Sequence, residues 1–278
     1  MRASAAVHAA RAGILANRSA GVQASRLMTA RPAVEIERRA SAQALLWPRS
    51  ALVAIALAWC AAVGAAALLG GWLDDGAVVM RAAALAAVGG ASLVWLSLRH
   101  QRAAAFGAAN SVTLARAALT LLLVALLGTA PTPALGWLVV GLGAAAVALD
   151  GVDGALARRR NEASSFGARF DMETDALLIL VLAALVWQHG KAGPWILAAG
   201  LLRYAFVAAS WALPWFGAAL PPSRRRQAVC VIQIVTLLGA LAPIVVPPWS
   251  AALALAGLAA LVWSFAVDVL WLARHARS

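Results

Sequence analysis

Asp150–Asp175 reads DGVDGALARRRNEASSFGARFDMETD and lies between two long apolar runs. It holds Asp150, Asp153, Glu162, Asp171, Glu173 and Asp175, six of the 11 acidic residues in a chain of 278. Carboxylates are costly beside hydrocarbon, so acids gathered between apolar runs mark a working site before anything else. Asp150 and Asp153 are three apart and Asp171 and Asp175 four apart, so each pair occupies one face of its segment if both segments are helical. The loop 159–170 is short enough to hold the two helix ends side by side. Four carboxylates that close cannot all stay ionised unless a cation sits among them. An all-oxygen set with no neighbouring Cys or His suits a hard divalent ion, Mg²⁺ or Mn²⁺.

Around this stretch the composition is that of an integral membrane protein: 63% hydrophobic, 12% charged, with a positive mean hydropathy. Apolar runs at 51–73, 77–98, 112–130, 134–158, 170–187, 195–215, 227–246 and 249–273 predict eight transmembrane helices in an all-α, polytopic membrane helix bundle. Pro131 and Pro133, Gly193 and Pro194, Pro221 and Pro222, and Pro247 and Pro248 punctuate them. Residues 1–49 carry eight arginines against Glu35 and Glu37 without a sustained apolar run. They read as a basic, disordered cytoplasmic tail, with an organelle leader or a later start at Met28 as alternatives.

The formal charge is +12, yet the basic regions flank apolar spans and hold few aromatics that could stack on bases, which argues against nucleic acid. If the spans alternate from a cytoplasmic N-terminus, 20 of the 23 basic residues fall on the inside, leaving Arg81, Lys191 and intramembrane Arg203. That bias puts both termini and the aspartate stretch at the cytoplasmic face, most simply of a bacterial inner membrane, in contact with membrane lipids. Tryptophans 47, 72, 187, 195, 249 and 271 lie near the predicted interfaces. Arg81 is placed to snorkel or to pair with Asp74 and Asp75, and Asp268 to pair with Arg274 in a structural role. Cys60 and Cys230 fall inside apolar segments and read as buried inert thiols rather than a disulfide or a thiolate metal site.

Written out, Asp150-x2-Asp153-Gly154-x2-Ala157-Arg158-x8-Gly167-x3-Asp171-x3-Asp175 resembles the signature of the CDP-alcohol phosphatidyltransferases, membrane enzymes of phospholipid synthesis. All eight fixed positions match. The resemblance implies two metal ions held by Asp150, Asp153, Asp171 and Asp175, with Asp175 also the general base. It implies that Gly154, Ala157, Arg158 and Gly167 border the cytidine diphosphate. Asn110-x2-Thr113-x2-Arg116 is similar to the opening of the family's first core helix, so Asn110 and Thr113 join the CDP side. Arg116, Arg203 and Arg226 are candidate contacts to a substrate phosphate, with membrane anchoring the plain alternative for Arg116 and Arg226, and a contact to the aspartate cluster or a purely structural pair the alternatives for Arg203. The resemblance covers 107–278 as a six-helix catalytic core, leaving 50–106 as two accessory helices, and implies a homodimer.

The reaction so implied is transfer of a phosphatidyl group from a CDP-linked lipid donor, CDP-diacylglycerol first, to an acceptor alcohol, with release of CMP. A CDP-linked small alcohol with a lipid acceptor is the alternative. Family members that use glycerol phosphate show Lys-x-x-Thr-x-x-Gln after the basic loop, where this chain has Gln227-x-x-Cys230-x-x-Gln233. A membrane cation transporter is the rival from another class, but it needs carboxylates at mid-membrane and an inverted repeat. A scaffold without activity has no use for an unbroken motif.

Overall fold

Apolar runs broken by Pro and Gly fold as helices joined by short turns, and the computed structural model describes residues 53–99, 108–160, 165–218, 220–221 and 223–275. Side chains at 93–99, 108–110, 152–160, 165–166, 214 and 217 lie outside that description, as does the expected tail at 1–49. The described residues hold no strand and eight α-helices. In chain order these are α1 Val53–Leu73, α2 Gly76–Arg99, α3 Ala108–Ala125, α4 Pro133–Arg160, α5 Ser165–Gln188, α6 Ala198–Ala212, α7 Arg224–Leu241 and α8 Trp249–His275. Short 3-10 turns, Pro194–Leu197 and Pro214–Gly217, flank α6.

Four stretches are long and apolar enough to cross a membrane: Val53–Leu73, Pro133–Gly151, Pro194–Ala212 and Trp249–His275. The chain is therefore a membrane protein. Of the eight spans expected, α2 and α3 meet the apolar standard over shorter lengths, Gly76–Ser92 and Ser111–Ala125. The other two fall short because their early turns are charged: Asp171, Glu173 and Asp175 on α5, and Arg224 to Arg226 on α7. Boundaries shift for local reasons. α7 takes in the arginine triplet and stops at Leu241, ahead of Pro243, rather than running 227–246. α3 stops at Ala125, because Gly128 turns the chain with φ +85°.

At the centre lies α5, whose Leu178, Leu182, Ala183, Leu185 and Val186 are buried. It packs against α3, α6 and α7, while α3 lies along α4 and α7 along α8. Among apolar helices in lipid, association comes from close packing, which small residues permit. A Cβ at Gly200 of α6 would stand 2.4 Å from Leu180 Cα of α5, so only glycine fits.

The turns at one end of the bundle are tied together. Arg81 pairs with Asp75 at 2.9 Å, as the sequence allowed, and Thr129 donates its hydroxyl to the same carboxylate at 3.0 Å. Gln188 Nε2 donates to Thr129 O at 2.8 Å, and Lys191 Nζ donates to the carbonyls of Ala242 and Val245. Trp72, Trp187, Trp195 and Trp249 are exposed at helix ends beside these turns, where an aromatic belt belongs. The acidic stretch joins α4 to α5 at the opposite end.

Candidate active site

Asp150 lies on α4, and Asp171 and Asp175 lie one turn apart on α5. One carboxylate oxygen from each comes within 4.8 Å of the other two, and all three side chains are half-buried. The fourth expected ligand, Asp153, lies one turn beyond Asp150 on α4, and its side chain is outside the described residues. Like charges this close repel by about 4 kcal/mol per pair at an effective dielectric of ~20. Something positive must offset that repulsion.

Part of it comes from Arg116 of α3, which is only 1% exposed. Its Nη1 lies 2.8 Å from Asp150 Oδ1 and also donates to Asp171, while Nη2 donates to Asp175. The sequence had offered Arg116 to a substrate phosphate or to the membrane surface. In the fold it binds the aspartates instead. Three carboxylates against one guanidinium leave two surplus negative charges, the complement of one divalent cation. The donor set is all oxygen, so Mg²⁺ or Mn²⁺ fits it.

The other sequence candidates divide into two groups. Thr113 is buried on the same face of α3, one turn before Arg116, and Gly167 is half-buried at the start of α5. Asn110, Gly154, Ala157 and Arg158 lie on α3 and α4, with side chains outside the described residues. A Cβ at Gly151 would meet nothing within 4 Å among the described residues.

Beside Asp171 and Asp175 opens a cavity of about 570 Å³ walled by α5, α6, α7 and α8. Arg203, Arg226 and Asp268 line it. Within this frame, the sequence from 106 to 268 matches the family model for CDP-alcohol phosphatidyltransferase, more than half of the chain. The chain belongs to the CDP-alcohol phosphatidyltransferase family. No curated protein and no solved structure matched it. Membership implies a phosphotransferase that moves a phosphatidyl group from a CDP-alcohol to an alcohol. Members generally use divalent metals, and Asp150, Asp171 and Asp175 are suited to holding one.

Several features of this phosphatidyltransferase were not foreseen. Arg203 pairs with Glu173, a partner the sequence did not name, and so takes the structural pairing left open for it rather than a contact to the aspartate triad. Asp268 does not pair with Arg274: Arg225 and Arg226 both reach it from α7, and Arg225 also donates to the Ser264 carbonyl and hydroxyl. The basic triplet thus splits by function, with Arg225 stapling α7 to α8, Arg226 facing the cavity and Arg224 exposed. Neither cysteine is fully buried. Cys60 is exposed, and the Cys230 thiol lines the cavity with Sγ 3.8 Å from Asp175 Oδ2. The i, i+3 register Gln227-Cys230-Gln233 was the available signal for this. Gln227 and Cys230 face the cavity, and Gln233 is fully buried with neither amide atom partnered among the described residues.

Proposed function

We propose that the protein transfers a phosphatidyl group from CDP-diacylglycerol to the hydroxyl of an acceptor alcohol, releasing CMP, at the cytoplasmic face of a bacterial inner membrane. The observation that carries this reading is the meeting of Asp150, Asp171 and Asp175 inside the segment that matches the family. Asp153 completes the ligand set from the next turn of α4. These four aspartates would hold the divalent ions, two by the family pattern, which would supply positive charge to the donor pyrophosphate and to the departing CMP oxygen.

Asp175 is the general base. It belongs to the carboxylate triad and also borders the cavity, so an acceptor hydroxyl in that cavity lies within its reach. Arg116 fixes the three carboxylates by binding each of them, which orients the ligands before substrate arrives. Gly154, Ala157 and Arg158 on α4, with Gly167, Asn110 and Thr113, border the cytidine diphosphate. The open space over Gly151 supports an approach of the nucleotide along that helix. Eight spans with both termini inside fit the tying of alternate turns at the end away from the aspartates.

The test is CMP release from CDP-diacylglycerol by purified protein in detergent. It is predicted to need Mg²⁺ or Mn²⁺, to stop with chelator, and to be lost in Asp175→Asn protein that still elutes as folded material. Turnover retained by Asp175→Asn would remove the base, and absence of CMP release by the wild type with any acceptor would sink the reading.

A further inference from the structure

Asp175 belongs to the acid cluster and also borders the cavity, and its two oxygens divide accordingly. Oδ1 accepts from Arg116 Nη2, on the guanidinium whose other nitrogen serves Asp150 Oδ1 and Asp171 Oδ1. Oδ2 has the Cys230 thiol of α7 beside it, with Sγ at 3.8 Å. Asp175 and Cys230 both line the cavity, so the corner they form opens into it. A thiol is a weak donor, and it braces Oδ2 without using up that oxygen's capacity to accept.

Next to this corner the wall is apolar. Ile179 follows Asp175 by one turn of α5, and Leu261 of α8 lines the cavity as well. On α7 the polar wall resumes at Gln227, one turn or about 4.5 Å before Cys230. A water molecule needs about 2–4 polar partners to be held in place. In the corner it would find one strong acceptor, Asp175, and a thiol that offers little. An alcohol fits better. Its hydroxyl donates to Oδ2, its carbon rests on the sulfur and the apolar wall, and its remaining polar groups extend toward Gln227.

Resting on the reading of Asp175 as general base and of this cavity as the acceptor site, we infer that the reacting hydroxyl docks in the corner between Asp175 Oδ2 and Cys230 Sγ, and that Cys230 selects an alcohol over water there. The hydroxyl oxygen bonds to the donor phosphorus, the bond from that phosphorus to the CMP oxygen breaks, and the hydroxyl proton passes to Oδ2. Oδ1 stays with the acid cluster. Water in the same corner would instead give phosphatidic acid and CMP, a waste of donor that the bulk and weak polarity of the thiol prevent.

The test follows both products made from CDP-diacylglycerol. Glycerol 3-phosphate, glycerol, serine and myo-inositol are tried in turn, and the one giving the fastest CMP release is kept as acceptor. Cys230→Ala, which opens the corner, is predicted to raise the acceptor KM and the ratio of phosphatidic acid to transfer product, each about tenfold. Cys230→Leu, which fills the corner, is predicted to lower kcat/KM for the acceptor roughly 100-fold and to leave calorimetric Mn²⁺ binding as in the wild type, because Oδ1 and Arg116 are untouched. More phosphatidic acid is a gain that misfolding cannot produce, so Cys230→Ala decides even if Cys230→Leu fails to fold. An unchanged product ratio in Cys230→Ala protein that binds Mn²⁺ overturns the inference, as does wild-type kcat/KM in Cys230→Leu. Folded Cys230→Leu that no longer binds Mn²⁺ would put the thiol on the ligand side of Asp175 and overturn it too. A wild type that releases no CMP with any of these alcohols or with water contradicts the proposed reaction itself, and the inference falls with it.

Discussion

Arg116 of α3 and Asp175 of α5 form a hydrogen-bonded ion pair across 59 residues of sequence, with the arginine buried and the carboxylate at the edge of the cavity. The same guanidinium serves Asp150 and Asp171, so one cation organises three acids contributed by two other helices. Removing one partner of a buried charge pair costs about 3–5 kcal/mol, because the other side is left uncompensated. Arg116→Gln is therefore expected to lower the melting temperature in metal-free detergent solution, and added Mn²⁺ to raise it more for the variant than for the wild type. Unchanged stability without metal would mean the guanidinium is dispensable.

At the other end of the bundle, Asp75 gives a pH dependence of defined sign. Its burial raises the pKa, but the Thr129 hydroxyl, the Ala77 backbone N–H and the charge and hydrogen bond of Arg81 together hold it below the ordinary value of 3.8. A carboxyl with a lower pKa in the folded state contributes stability that is complete above about pH 4 and is lost as pH falls through the folded value. Asp75→Asn should lower the melting temperature at neutral pH and flatten its decline below pH 4. Parallel wild-type and variant curves would rule out this clasp as the source.

Helix spacing gives a third prediction. With Leu180 Cα only 2.4 Å from where a Cβ at Gly200 would lie, α6 has to move away from α5 to accept even alanine. Overpacking of this kind costs roughly 1–3 kcal/mol. Gly200→Ala is expected to show that loss in thermal unfolding and to reduce turnover, since Gly200 and Arg203 both wall the cavity. A fully stable variant would show that the two helices separate freely.

What the sequence disclosed was local, and what it withheld was not. The i, i+3 and i, i+4 spacing of Asp150, Asp153, Asp171 and Asp175 put carboxylates on helix faces, and a short loop brought the faces together, so three of the four were found adjacent. That Arg116 would lie among them depends on how α3 packs against α4 and α5, which no spacing encodes. Asp268 shows the same limit: Arg274 is nearer along the chain, but α7 and α8 pack so that Arg225 and Arg226 are nearer in space. Glu173 lies off the i, i+4 spacing of Asp171 and Asp175, yet it is the partner of Arg203. Cys230 read as apolar because it sits in an apolar run, although its face of α7 is set by Gln227 and Gln233. Where a helix brings charge to the site, as α5 and α7 do, it falls short of the apolar standard for a membrane span.

Gln233 offers a fourth test. A buried amide without partners costs about 1–3 kcal/mol relative to a satisfied one, and Gln233 is fully buried with both amide atoms unpartnered among the described residues. Gln233→Leu, close in volume, is expected to raise the melting temperature. A lower melting temperature would show that the amide makes a contact the leucine cannot replace.

Divalent-ion binding by the aspartates tests the whole account most directly, through calorimetric titration of Mn²⁺ into purified wild-type and Asp171→Asn protein. Asp171 is partly exposed on α5, so the variant should fold. The prediction is saturable binding by the wild type, weakened at least about tenfold, or ~1.4 kcal/mol, in the variant. Equal Mn²⁺ affinity for the two proteins, or no binding by either, would contradict it.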